Sequence, residues 1–396
     1  MQELLGLERH GFALQIFSLQ RPTERLRHGH VDQLQARVVY LAAGSRVDAS
    51  ALLALGALLL TAPRRLLGSL GFLLRRAEGG RLRDLLMAAR VAREARSDAF
   101  YAHFASEPAA VAELAAQLRG GRFAISAHAK DIYLADPVVL ARKLARASFV
   151  CTCTEYNRRY LAARTPAPER IVCVRHGLDA NPLLAQPPPA ATPGAPPLIL
   201  AVGRFRPKKG FAVLIDALAA LAARGAAFRC LIIGYGPQEQ ELRDRINAHG
   251  LGDRVELRGP MVRTALLELY RRAELFTLPC RVDQDGDRDG IPNVLMEAMA
   301  AGLAVVSTPI SGIPELVDDG NNGVLVASGD AAALADAIAA LLADTSRRRR
   351  LGAAARETIR ARFTFEQNLA PLVGLLAAHL APPACLPSTR RAGLSA

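Results

Sequence analysis

Tryptophan is absent from this 396-residue chain, and Phe, Tyr and Trp together make up only 5% of it. Lysine is nearly as scarce: four of the 50 basic residues are lysine and the rest are arginine. A skew towards Ala, Leu and Arg follows a GC-rich genome, so the formal charge of +13 is weak evidence for nucleic acid, and no such partner is expected. No apolar run reaches 18 residues, which excludes an ordinary membrane-spanning helix. The opening MQELLGLERHG carries charges where a secretory signal needs an apolar core, so the expected location is the cytoplasm. None of the six cysteines (Cys151, Cys153, Cys173, Cys230, Cys280, Cys385) forms a CxxC pair. Most lie in apolar runs and read as buried reduced thiols rather than a disulfide framework or a zinc site. There is no tandem repeat, and 31 glycines and 24 prolines are too scattered for a collagenous or low-complexity chain. What is left, 51% hydrophobic and 22% charged, is the balance of a packed protein of two domains.

The charge is uneven. Residues 1–190 hold 26 Lys and Arg against 16 Asp and Glu; residues 191–396 hold 24 against 21. Between the halves, AQPPPAATPGAPP (185–197) offers almost nothing to pack and reads as an extended linker. In the second half, strand signals at 198–202, 228–233, 255–257, 274–278, 304–307 and 324–326 alternate with helical patterns at 209–223, 237–248, 264–272, 291–301 and 330–343. In the first half, strands are expected at 12–19, 36–41, 98–103, 122–127, 148–153 and 170–174. Helices are expected there at 50–61, 66–75, 80–96, 107–119, 136–146 and 155–163. Alternation of this kind predicts parallel sheets with helices on both faces. The expected division is a first domain over 1–184, the linker, and a second domain over 198–364. A helix over 365–380 then returns to the first domain, and a frayed tail covers 381–396.

Three motifs carry chemistry. In VGRFRPKKG (202–210), a strand runs into a turn and Lys209-Gly210 opens a helix. Arg204 and Lys209 flank that helix start, where unpaired N–H groups and the dipole favour an anion. A forked and a point cation suit a diphosphate; the plain alternative is a solvated basic loop. IIGYGP (232–237) is a strand and a tight turn at Gly234 and Gly236. It lacks the third glycine of a dinucleotide fingerprint, and a turn needing positive φ explains it as well as NAD does. DGIPNVLMEAMAAG (289–302) places Asp289 in the loop before a helix and Glu297 inside it. Both carboxylates can face one pocket, where paired acceptors suit the vicinal hydroxyls of a sugar. Acids are also common at solvated helix starts, but Glu297 lies among Leu295, Met296, Ala298 and Met299 and needs a partner there. Asp285, Asp287 and Asp289 before Gly290 open like an EF-hand loop. Pro292 and Met296 at its eighth and twelfth positions break the pattern, so no calcium is expected.

Taken in order, VGRFRPKKG, IIGYGP, the acid pair leading into EAMAAG, and GIPELVDDGNNGVLV (312–326) resemble the donor-binding half of the GT-B glycosyltransferases, family 4 in particular. DGIPNVLMEAMA is similar to the exopolysaccharide and colanic-acid subgroup. The resemblance implies an α/β fold of two Rossmann-like, doubly wound parallel-sheet domains facing a central cleft. It implies retaining transfer of a hexose from a nucleotide-diphosphate-sugar to a glycan or polyprenyl-linked acceptor, without metal or other cofactor. By the same resemblance Arg204 and Lys209 hold the phosphates, Asp289 the donor sugar and Glu297 the ribose. Gly203, Gly234, Gly236, Arg258, Gly290, Pro292, Asn293 and Val294 then surround the donor. The family carries Glu where this chain has Asp289, one methylene shorter, which bears on the sugar and not the nucleotide. YAHFASEP (101–108) and ISAHAKDIY (125–133) resemble the subgroup's acceptor domain. They place His128 beside the donor sugar as a catalytic residue, with His103 a second candidate. VRHGLD (174–179) makes His176 a hinge or cleft residue. Family members open with a strand and loop ahead of the helix that QELLGLERHG resembles, so one strand fewer is expected here. Two other classes share these features: a nucleotide-sugar epimerase and a non-catalytic nucleotide-binding relic.

Residues 64–96 interleave nine arginines and three acids with leucines, next to ALLALGALLL (51–60). This region, 50–96, is expected either to lie on an anionic membrane surface, at the inner face of the plasma membrane, or to pack on the sheet with its arginines in water.

Overall fold

The computed structural model describes residues 2–21, 32–43, 46–47, 49–74, 81–185 and 194–380. Most of the proline-rich linker, the 381–396 tail with Cys385, and Arg75 and Arg76 lie outside the described residues. The chain divides into two compact units. The first takes residues up to Thr152, Tyr160–Val174 and those from Leu369 on; the second takes Cys153–Arg159 and Arg175–Asn368.

The first unit begins with α1 (Gln2–Arg9), β1 (Gln15–Ser18), β2 (Arg37–Tyr40) and a short antiparallel pair, β3 (Ala42–Ala43) and β4 (Arg46–Val47). Three helices follow, α2 (Ala49–Thr61), α3 (Pro63–Leu74) and α4 (Arg81–Glu94). Then come β5 (Ala99–His103), α5 (Glu107–Arg119), β6 (Arg122–Ala127), α6 (Lys130–Tyr133), α7 (Pro137–Arg146), β7 (Val150–Thr152), α8 (Glu155–Ala162) and β8 (Ile171–Cys173). Its parallel strands form two ladders, β1–β2 and β5–β6–β7–β8. Local signals set the helix ends. Asp136 accepts from the N–H groups of Val138 and Val139 ahead of Pro137, and Gly120 closes α5 in the left-handed region at φ 71°.

The second unit runs through α9 (Asn181–Leu184), β9 (Leu198–Val202), α10 (Phe211–Ala223), β10 (Arg229–Ile233), α11 (Glu239–Ala248), β11 (Val255–Arg258) and α12 (Arg263–Arg272). It continues with β12 (Leu275–Thr277), α13 (Asn293–Ala301), β13 (Ala304–Ser307), α14 (Ile313–Leu316), β14 (Val324–Leu325), α15 (Ala331–Ala343), α16 (Thr345–Arg362) and α17 (Phe365–His379). Helix α17 ends in the first unit, where the Arg122 guanidinium donates to the His379 carbonyl. The six strands are parallel in the order β11-β10-β9-β12-β13-β14. Runs such as LILAV and AVVS are buried almost throughout because helices cover both faces of the sheet.

This order contains a reversal. From β9 the chain moves outward through β10 and β11, then returns to place β12 on the other side of β9. Loops leaving the carboxyl ends of β9 and β12 diverge at such a point, and a crevice opens where ligands bind in sheets of this kind. Both acid- and cation-bearing motifs fall in these two loops.

Candidate active site

After β9 the chain turns through Gly203, Arg204 and Phe205 into a single 3-10 turn, Pro207–Lys209, before α10. The β10 loop packs directly on it. The Gly203 N–H donates to the Ile233 carbonyl at 2.9 Å and the Phe205 N–H to the Tyr235 carbonyl at 2.7 Å. Glycine is needed for that approach. A Cβ on Gly234 would sit 1.8 Å from the Gly203 carbonyl oxygen, and one on Gly236 2.4 Å from that of Phe205. Gly210 adopts φ 71° and lies against the Pro279 carbonyl, so it closes the turn against the loop that follows β12. At Gly203 a Cβ would meet the Lys209 stem at 3.4 Å.

The loop after β12 answers these cations with carboxylates. The Lys209 Nζ is 2.7 Å from Asp289 Oδ2, and the Lys208 Nζ is 3.4 Å from Asp289 Oδ1 and 3.0 Å from Asp287 Oδ2. The Arg281 N–H donates to the Lys208 carbonyl at 2.9 Å, which fixes the two loops together. Ser307 Oγ donates to the Leu278 carbonyl and Thr308 Oγ1 to that of Cys280, anchoring the start of the acidic loop to β13. Burial raises the pKa of Asp289, but Lys209 and Lys208 outweigh it and hold the carboxyl below its ordinary 3.8. Lys208 is the partner that sequence reading missed. Its signal was present, because two of only four lysines are adjacent here. The carboxylates that suggested an EF-hand face ammonium groups instead.

Glu297 lies one turn into α13, and its partner is Tyr270 on α12, whose Oη donates to Glu297 Oε2 at 3.0 Å. Burial raises the pKa of Glu297, opposed by this bond and by Arg263; burial also raises that of Tyr270. Tyr270 is buried without exposure and was not singled out from the sequence. Arg204 is exposed and, among the described residues, in no ion pair. Pro292 caps α13, and Asn293, exposed, and Val294 open it, so their backbone N–H groups lack partners within the helix. Gly290 is buried against Cys153 and Thr154, where a Cβ would lie 3.2 Å from Cys153 Sγ. Arg258 ends β11 on the surface, paired with Glu256 at 2.6 Å, and its carbonyl accepts from the Gly234 N–H. In the GIPEL segment the Glu315 carboxylate accepts from the N–H groups of Glu155 and Tyr156 and so caps α8.

The first unit has its own polar constellation. His128 follows β6, with Nε2 2.6 Å from Ser126 Oγ. Asp131 accepts from the His128 N–H at 3.0 Å and from the Ala105 N–H at 2.8 Å, so it ties the loops after β6 and β5. Burial pushes Asp131 up to about 6, against these hydrogen bonds. His103, at the end of β5, is 3.1 Å from Glu3. His176 is exposed in the second unit. Of the five described cysteines none is paired; Cys151, Cys153, Cys230 and Cys280 are buried.

Residues 185–358 match the family model described as Glycosyl transferases group 1. WcaL of Escherichia coli (strain K12), assigned provisionally as a colanic acid biosynthesis glycosyltransferase, is 37% identical over 278 residues, 66% of this chain and 66% of that protein. The amylovoran biosynthesis glycosyltransferase AmsK of Erwinia amylovora is 44% identical over 137 residues, 35% of this chain and 34% of that one. The chain thus spans about two thirds of the first relative's length and about one third of the second's. Among solved structures, a glycosyltransferase from Rickettsia africae matches with a TM-score of 0.72 at 16% identity, covering 96% of this chain and 93% of that one. Anabaena HepE, in complex with UDP and glucose, matches at 0.67 and 19% identity, covering 88% of each. The expected class, two doubly wound α/β units of GT-B type, is the one found, and the chain carries a group 1 glycosyltransferase domain over residues 185–358.

Proposed function

We propose that this chain is a retaining, metal-independent glycosyltransferase that moves a hexose from a nucleotide-diphosphate-sugar to a glycan or lipid-linked glycan in exopolysaccharide synthesis. The observation that carries this reading is the cluster of Lys208, Lys209, Asp287 and Asp289 at the strand-order reversal, beside an exposed and unpaired Arg204. Negative charge grows on the diphosphate as the glycosidic bond breaks, and preformed cations next to a helix start stabilise it. Asp289 presents Lys209 in a fixed position before the donor arrives and offers acceptor oxygens to a sugar hydroxyl. Glu297, held by Tyr270, has a second oxygen for a ribose hydroxyl. The departing phosphate oxygen takes the acceptor's proton, so no side-chain nucleophile is required. His128 is proposed to donate to a sugar hydroxyl. The relatives WcaL and AmsK, named for exopolysaccharide pathways, and HepE, seen with UDP and glucose, support this substrate class.

The test is release of nucleoside diphosphate from UDP- and GDP-sugars, with and without polysaccharide acceptors. Lys209→Ala is expected to lower turnover by 10²-fold or more while the far-ultraviolet circular dichroism stays unchanged. Unaltered turnover in that variant would refute the assignment.

A further inference from the structure

The helices α2 and α3 form a corner bent by 120° about Ala62. One side of the corner belongs to the protein. Ala51 and Ala54 of α2, and Leu66, Ser69 and Leu73 of α3, are buried, and Ala54, Leu66 and Leu73 enter the same core cluster as α4 and α5. The opposite side is apolar as well. Leu52, Leu53, Gly56, Leu59 and Leu60 fall at i, i+1, i+4, i+7 and i+8, a single stripe of α2, and all are exposed, Leu60 at 85%. Leu67 and Leu70 extend the stripe onto α3. Helix α2 carries no charge, and residues 49–74 contain no acid; their only charges are Arg64 and Arg65.

A second feature adjoins the stripe. A cavity of about 480 Å³ opens at the C-terminal end of α2, lined by Thr61, Arg65, Arg93, Arg119 and Asp98. The Arg65 guanidinium donates to the Arg119 carbonyl and Arg119 pairs with Asp98, so three guanidiniums converge with one carboxylate among them. An uncharged leucine stripe beside a net-positive hollow has the chemistry of the boundary between acyl chains and anionic headgroups.

We propose that the α2–α3 corner docks this protein on an anionic bilayer. The leucine stripe enters the headgroup–acyl boundary, and the arginine-lined hollow receives a lipid phosphate. The corner lies in the interface and does not cross it. Each arm has at most 13 residues, about 20 Å at 1.5 Å per residue against an apolar thickness of about 30 Å, and its inner face is committed to the protein core. A second copy of the chain is the poorer occupant. A two-fold contact through this face would bring Arg64 and Arg65 against their own counterparts with no acid on either helix.

Flotation of the full chain with phosphatidylglycerol or phosphatidylcholine vesicles tests this without any requirement for catalysis. Binding is expected on the anionic vesicles, at least tenfold weaker on the zwitterionic ones, and reversed by high salt. The double variant Leu53→Ser/Leu60→Ser is expected to lose at least tenfold, and Arg65→Gln/Arg93→Gln about fivefold per arginine. The leucine variant should keep the wild-type circular dichroism and the wild-type rate of nucleotide release on a water-soluble acceptor, which separates this proposal from the transferase reading. No binding to anionic vesicles at low salt would overturn it. Equal binding by wild type and the leucine variant would also overturn it, as would a dimer that the leucine variant dissolves while vesicles go unbound.

Discussion

At the scale of single residues, Lys208 has the most to explain. Its side chain is only 7% exposed, yet it is charged and sits beside the lysine that the proposed chemistry uses. Burying an ammonium is unfavourable unless acids compensate it, and Asp287 and Asp289 do so. Removing one partner leaves the other buried and uncompensated. Lys208→Met and Asp287→Asn are therefore each expected to cost about 3 kcal/mol, and the double variant much less than the sum. Urea unfolding of the four-member cycle measures this, and simple additivity would contradict the pairing. Asp289 adds a pH dependence of known sign. Its folded pKa lies below the ordinary 3.8, so the stability it contributes is complete above that value and is lost as the pH falls through the lower one. Sequence reading found Lys209, Asp289 and Glu297 because family motifs mark them. It missed Lys208 and Tyr270 because a buried partner is defined by what it touches across the fold, and spacing along the chain does not show that.

At the scale of elements, the strands and helices of the second unit were legible to within about two residues. Parallel strands buried on both faces leave short aliphatic runs that nothing else produces. Helix α16 was not foreseen. Its first turns read TSRRRR, and Arg348, which breaks the apolar period, is buried and held by the Leu341 and Leu342 carbonyls and by Glu274. The glycine turn after β10 was noticed for the wrong local reason. Gly234 is required by the nearness of Gly203, where positive φ was the expected cause. That distinction is measurable. Gly234→Ala must part the β9 and β10 loops, and a loss of about 3 kcal/mol or more is expected, with weaker nucleotide binding measured by calorimetry. Gly252→Ala, in a turn with nothing within 4 Å of the new methyl, is the control and should lie within about 0.5 kcal/mol of wild type. A tolerant Gly234→Ala would mean that the two loops are not held together as described.

At the scale of the whole molecule, the two units are built to different standards. The second has one continuous core running from Leu178 to Phe363 around a six-stranded ladder. The first divides its buried residues between two smaller clusters, one beneath α2–α5 and one around β5–β8, and its parallel strands between two ladders. Its half of the sequence also holds 26 basic residues against 16 acids, so it repels itself more strongly than the second half, with 24 against 21. Smaller cores bury less apolar surface per ordered residue, and uncompensated charge lowers stability further. Calorimetry is therefore expected to resolve two transitions, the first unit melting at the lower temperature, with added salt raising that transition more than the other. The proposed nucleotide site lies wholly on second-unit loops, so nucleoside diphosphate at about 100 times its Kd should raise only the upper transition. About 2.7 kcal/mol of linkage corresponds to about 5–10 °C for a unit of this size. A single cooperative transition that nucleotide shifts as a whole would refute the assignment of separate stabilities, and a shift confined to the lower transition would move the nucleotide to the first unit.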